Sequence, residues 1–142
     1  MSGKVFLDTN ILIYAYDVDA KDKHLISNKI VKKLWESNKG VLSTQVLQEF
    51  YVTVTKKIVK PITSNNARNI IRTYLSWDII VITPVSVILA SEISERNCIS
   101  FWDAMIVEAA KEAGADRILT EDLNSGQIIE GILIENPLEN DY

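Results

Sequence analysis

The chain has 142 residues, 47% hydrophobic and 24% charged, with 15 Lys/Arg, 19 Asp/Glu and a net charge of −4. That apolar fraction and modest charge exclude an intrinsically disordered chain and fit a single folded domain spanning 1–142. A lone cysteine, Cys98, excludes a disulfide framework and a cysteine-rich zinc site, and a lone histidine, His24, excludes a multi-histidine centre, so any metal would be held by oxygen.

Residues 1–16 lack the cleavage site of a secretory signal, and no apolar run approaches the ~18 residues of a membrane span, so the chain reads as soluble and cytoplasmic. Charge is uneven along it. Residues 1–77 hold 12 Lys/Arg against 6 Asp/Glu, and residues 78–142 hold 3 against 13. The basic half includes Lys29, Lys32, Lys33, Lys56, Lys57, Lys60, Arg68 and Arg72, which suit either solvated helix faces or a surface that attracts phosphate.

In chain order, Lys4 to Leu7 is a short apolar run that reads as a buried strand delivering Asp8 at its end. Ile11 to Tyr16 reads as a short helix. Lys23 to Asn38 carries Ile26, Ile30, Val31, Leu34 and Trp35 at helical spacing before a stop at Gly40. Val41 to Ser43 is a strand, Thr44 to about Ile58 a helix, and Ser64 to Trp77 a helix capped by Ser64. Ile79 to Ile82 reads as another buried strand. Pro84 opens a helix with Val85, Ile88, Leu89 and Ile93 on one face.

Ser100 to Ala113 is the next helix, closed by Gly114. Arg117 to Thr120 and Ile132 to Glu135 are the last strands, followed by an acidic tail over about 137–142. This alternation predicts an α/β fold, a mainly parallel sheet of about five strands covered on both faces. Ligands of such folds gather beyond the carboxyl ends of the strands, where Asp8 and Thr120 sit, with Asp122 just past the rim.

Four acids stand out, each with a structural reading beside a chemical one. Asp8 can cap the following helix. Asp103 belongs to a Ser100-x-x-Asp103 capping pattern, yet the helical wheel puts it on the side of Ile106, Val107 and Ala110, opposite Glu108, Lys111 and Glu112. An acid facing inward is costly unless paired or metal-bound. Glu49 flanks the apolar face of Val46, Phe50 and Val54 and has no basic neighbour three or four residues away. Asp122 follows a strand, where turn aspartates are common. Gathered at one rim, such carboxylates call for Mg²⁺ or Mn²⁺, whose natural chemistry is phosphodiester hydrolysis.

Four segments together resemble the PIN domain family, and within it the small toxin ribonucleases of VapC type. They are Val5-Phe6-Leu7-Asp8-Thr9-Asn10-Ile11-Leu12, Gln48-Glu49-Phe50, Ser100-Phe101-Trp102-Asp103-Ala104-Met105-Ile106 and Ile118-Leu119-Thr120-Glu121-Asp122-Leu123. The resemblance implies a three-layer α/β/α sandwich and an acidic pocket of Asp8, Glu49, Asp103 and Asp122. Asn10, Ser100 and Thr120 would hold the carboxylates in place. It further implies Mg²⁺- or Mn²⁺-dependent endoribonuclease activity on an RNA substrate, commonly by a homodimer, restrained by a cognate antitoxin that inserts a segment into the pocket. Asp8 and Asp103 would be the direct metal ligands, with Glu49 and Asp122 acting through water or a second ion.

With the pocket acids neutralised and the tail acids Glu135, Glu139 and Asp141 set aside, 12 acids face 15 bases. Lys56, Lys57 and Lys60 then offer phosphate a path to the metal. Tyr14, Tyr16, Phe50 and Tyr51 suit stacking on bases or burial in the core. His24 reads as structural or exposed. Two other functions compete. A phosphatase of haloacid dehalogenase type would use Asp8 as nucleophile but needs a second acid where Asn10 stands. A non-catalytic PIN-like module would bind RNA or protein without cutting.

Overall fold

The computed structural model describes residues 1–139; the last of the predicted acidic tail, including Asp141, lies outside the described residues. Six strands form one sheet in the order β3-β2-β1-β4-β6-β5. They are β1 (Val5–Leu7), β2 (Gly40–Ser43), β3 (Asp78–Ile80), β4 (Arg117–Leu119), β5 (Ile128–Ile129) and β6 (Ile132–Glu135). All pairings are parallel except β5 with β6. The helices are α1 (Thr9–Tyr14), α2 (Asp22–Ser37), α3 (Thr44–Lys56), α4 (Ser64–Tyr74), α5 (Pro84–Asn97) and α6 (Phe101–Ala113). Among the described residues no helix is long and apolar enough to cross a membrane.

β1 and β2 are buried along their whole length because helices cover both faces. On one side α6 lies across β2, β3, β4 and β6, with α5 packed on α6; elsewhere α2 meets β2 and α1, and α3 packs on α1, β2 and α4. Gly40 permits the close approach of Trp77, since a Cβ there would fall 2.3 Å from the indole. Trp77 in turn stacks edge-on with Tyr74 and Trp35.

Several expectations are corrected. The run over Ile79 to Ile82 is an edge strand that stops at Ile80, with Val81 61% exposed, because nothing pairs beyond β3. Thr63, not Ser64, caps α4, its hydroxyl accepting from the Asn66 N–H. Of the predicted stripe on α5 only Ile93 is buried, together with Ser86 and Ala90, since these two smaller residues let the helix settle closely on the alanines of α6. Val85, Ile88 and Leu89 consequently face outward. Glu108, expected on the solvated side of α6, is buried beneath α5. The sixth strand, β5, arises from a two-residue turn at Glu130 and Gly131, both with positive φ (51° and 82°).

Candidate active site

Strand order reverses at β1, whose neighbours β2 and β4 lead to opposite edges of the sheet. The crevice beyond that switch point is where an α/β sheet offers its ligand site. Because Leu7 pairs with Leu119, the chain leaves β1 at Asp8 beside the point where it leaves β4 at Thr120. The Asp8 N–H donates to the Leu119 carbonyl at 3.0 Å, fixing that junction.

Asp8 is both cap and candidate ligand. One carboxylate oxygen accepts from the Thr9 N–H at 2.7 Å as the N-cap of α1, and the other accepts from the Thr120 hydroxyl at 2.7 Å. Burial pushes its pKa up to about 6; the Thr120 and Thr9 hydrogen bonds oppose that rise, and the charges of Asp122 and Glu49 add to it. Thr120 also accepts from the Asp122 N–H at 3.1 Å, so one buried hydroxyl orients the first acid and the backbone of the last.

Asp103 stands in the first turn of α6, where Ser100 caps the helix by accepting from the Asp103 N–H at 3.0 Å. It is half-buried and faces the crevice, as the helical wheel predicts. Glu49 projects from α3 and accepts from the Thr9 hydroxyl at 2.9 Å. Asp122 is exposed at the rim, its pKa raised by partial burial and then by the charges of Glu121 and Asp103.

All four carboxylates line one cavity of about 210 Å³, together with Thr9, Asn10, Ile13, Gln45, Thr53, Trp102 and Ile106. No lysine, arginine or histidine lines it. The acids sit on its wall without closing on one point: among the described residues no three acidic, histidine or cysteine side chains come near enough to enclose a single ion. Thr9 and Thr120 fix the orientation of Glu49 and Asp8 on that wall. The volume is several times the ~30 Å³ occupied by one water, so the pocket suits a hydrated ion reached partly through its waters. The Gln45 side-chain oxygen, buried and without a hydrogen-bond partner among the described residues, adds another hard donor. An all-oxygen, anionic set with no internal cation fits Mg²⁺ or Mn²⁺.

Asn10 lines the cavity, but its amide donates to Glu121 at 3.3 Å and not to one of the four acids. Glu121 also accepts from the Tyr14 hydroxyl and from Lys23 at 3.3 Å, which turns it away from the crevice. Sequence reasoning missed Thr9 as the partner of Glu49; its place directly after Asp8, on the first turn of the helix facing α3, was the available signal. The aromatic residues considered for base stacking have other tasks. Phe50 is fully buried, Tyr16 bonds Tyr74, Tyr51 packs on the core and Tyr14 bonds Glu121. His24 is structural, its Nδ1 bonded to the Tyr14 carbonyl at 2.8 Å.

A PIN domain profile matches residues 5–128, and the chain belongs to the PIN domain family. Its fold is similar to VapC20 of Mycobacterium tuberculosis, a sarcin-ricin loop cleaving toxin, at 19% identity and a TM-score of 0.65, covering 84% of this chain and 90% of that one. A toxin-antitoxin complex from Klebsiella pneumoniae matches at 16% identity and a TM-score of 0.68, over 94% of this chain and 98% of that one. VapBC2 from Rickettsia felis, bound to a DNA fragment from its promoter, matches at 21% and 0.63, over 93% and 97%. No curated protein sequence matches the chain.

Proposed function

We propose that this PIN domain is a metal-dependent endoribonuclease that hydrolyses RNA phosphodiester bonds and serves as the toxin of a toxin-antitoxin pair. The observation that carries the reading is a cavity at the switch point that, among the described residues, is walled by four carboxylates and by no cation. The kinship of fold with toxins that are solved alone or with their antitoxins supports the second half.

Asp8 and Asp103 would supply oxygen directly to Mg²⁺ or Mn²⁺, with Glu49 and Asp122 reaching it through water or a second ion. When bound, the ion supplies an acidified water and charge stabilisation at the phosphorus. The rest falls to the chain. Thr120 holds the Asp8 carboxylate rigid at the strand end, and the Thr9 hydroxyl occupies Glu49 Oε1, leaving Oε2 to orient the attacking water. A shallow groove lined by Gln48, Glu49, Val52, Thr53 and Lys57 shares Glu49 and Thr53 with the acidic cavity, which supports a phosphate track ending at the basic residues after α3.

The acidic wall also suits inhibition by a basic side chain of a cognate antitoxin, which would supply the charge the cavity lacks. The outward stripe of Val85, Ile88 and Leu89 supports a homodimer that buries it. In the test, protein purified free of antitoxin is incubated with RNA. Cleavage with Mg²⁺ or Mn²⁺ that stops with EDTA supports the proposal, and release of phosphate from a small phosphomonoester without RNA cleavage contradicts it.

A further inference from the structure

One large side chain on the cavity wall has no part in the chemistry above. Trp102, in the first turn of α6, lines the acidic cavity beside Asp103 and is 68% exposed. Its neighbour Phe101 is anchored against the core and meets the indole edge-on, with ring centroids 5.3 Å apart at 75°. The other tryptophans lie in the aromatic cluster with Tyr74. An indole carries one of the largest apolar surfaces of any side chain, and folding normally removes most of it from water. Here most of that surface stays open at the edge of the cavity.

A carboxylate-lined cavity repels the phosphates of its own substrate, so affinity must come from groups around it. Lys57 supplies charge on the α3 side. Trp102 supplies a ring face, and stacking of one base on an aromatic ring changes affinity by roughly tenfold to a hundredfold. Bases inside a duplex are already stacked and offer no free face, whereas an unpaired base does.

We propose that Trp102 is the stacking platform for an unpaired nucleobase next to the scissile phosphate. The inference rests on the nuclease reading of the same cavity and names its substrate-positioning residue. Trp102 fixes the register of the strand while Asp103, one residue along the helix, acts with the other three carboxylates at the phosphate.

The test compares wild type, Trp102→Ala and Trp102→Phe, each checked for an unchanged melting temperature, on short RNAs with and without an abasic nucleotide on either side of the cut. Trp102→Ala raises KM about tenfold or more with kcat nearly unchanged, and Trp102→Phe restores part of the loss. Removing one flanking base raises KM for the wild type by a similar factor and adds nothing in Trp102→Ala. An unchanged KM in Trp102→Ala, or full additivity of the two losses, overturns the proposal and assigns the ring to a protein partner instead. Should the wild type give no metal-dependent product, the nuclease reading fails separately. A single-stranded deoxyoligonucleotide then probes the ring: quenching of tryptophan fluorescence that disappears in Trp102→Ala sustains stacking, and no quenching ends it.

Discussion

Asp8 and Glu130 are both carboxylates anchored at the ends of strands, and the fold treats them in opposite ways. Glu130 accepts from Arg96 Nε and Nη2 at 3.1 and 2.6 Å, from the Asn97 amide at 2.9 Å and from Lys111 at 3.1 Å. These donors hold its pKa well below the usual carboxylate range. Asp8 is buried, has only neutral donors, faces Asp122 and Glu49, and is pushed up to about 6. The chain neutralises Glu130 with its own cations and supplies none to Asp8. A buried acid left among other acids either takes up a proton or gains from a cation supplied from outside the chain, and the proposed divalent ion would fill that second role.

The largest expected break in this contrast is at the acidic end. Asp8→Asn and Asp103→Asn each lower RNA cleavage by at least about a hundredfold, measured with Mn²⁺ at saturating RNA, because an amide cannot supply the carboxylate charge. Thr120→Val keeps the shape but frees both the Asp8 carboxylate and the Asp122 N–H, and cleavage falls about tenfold with weaker metal affinity.

Stability should move the other way. Asp8's folded pKa lies above its ordinary value of 3.8, so ionisation costs the folded state. That cost is absent below about pH 4 and complete above about pH 6. In EDTA, Asp8→Asn is therefore more stable than wild type at pH 7.5, by roughly 1–3 kcal/mol, the cost of ionising a buried carboxyl less one lost hydrogen bond. The gap closes as pH falls toward 4, which chemical denaturation at several pH values would show.

Glu130 follows the opposite sign, because its folded pKa is depressed. Its contribution is present above the ordinary glutamate range and is lost as pH falls below it. Glu130→Gln lowers the melting temperature at pH 7 by roughly a few degrees and leaves the kcat of cleavage unchanged. The smallest effect is at the proposed phosphate track. Lys57→Ala raises KM about threefold at low salt and less at high salt, the pattern of a single screened phosphate contact.

What was readable in the sequence follows from the range of the forces involved. The end of β1, the caps of α6 and the inward side of Asp103 depend on neighbouring residues, and the chain displays them directly: Asp8, Ser100 and Gly114 stand where local chemistry puts them, although the cap of α4 and the end of β3 fall elsewhere. The approach of Asp8 and Asp122 is readable because a parallel sheet presents its strand ends on one side, whereas Glu49 and Asp103, both on helices, join them in the pocket as the resemblance to the PIN domain implies. Features set by packing between distant segments were not.

The face of α5 that turns inward is chosen by the fit of Ser86 and Ala90 onto α6, which hydrophobic periodicity alone cannot reveal. The hairpin at Glu130 lacks the usual Asn-Gly signal, because its left-handed glutamate is held by Arg96, Asn97 and Lys111 from two helices. For the same reason the sequence suggests Asn10 as a support of the four acids, whereas its amide serves Glu121, a residue 111 positions away.

The most direct test of the central claim is calorimetric titration of Mn²⁺ into metal-free protein at pH 7.5. Saturable binding is expected in the wild type, Asp8→Asn and Asp103→Asn each abolish it or weaken it at least tenfold, and Glu130→Gln binds as the wild type does. Equal Mn²⁺ uptake by all four proteins would contradict that claim.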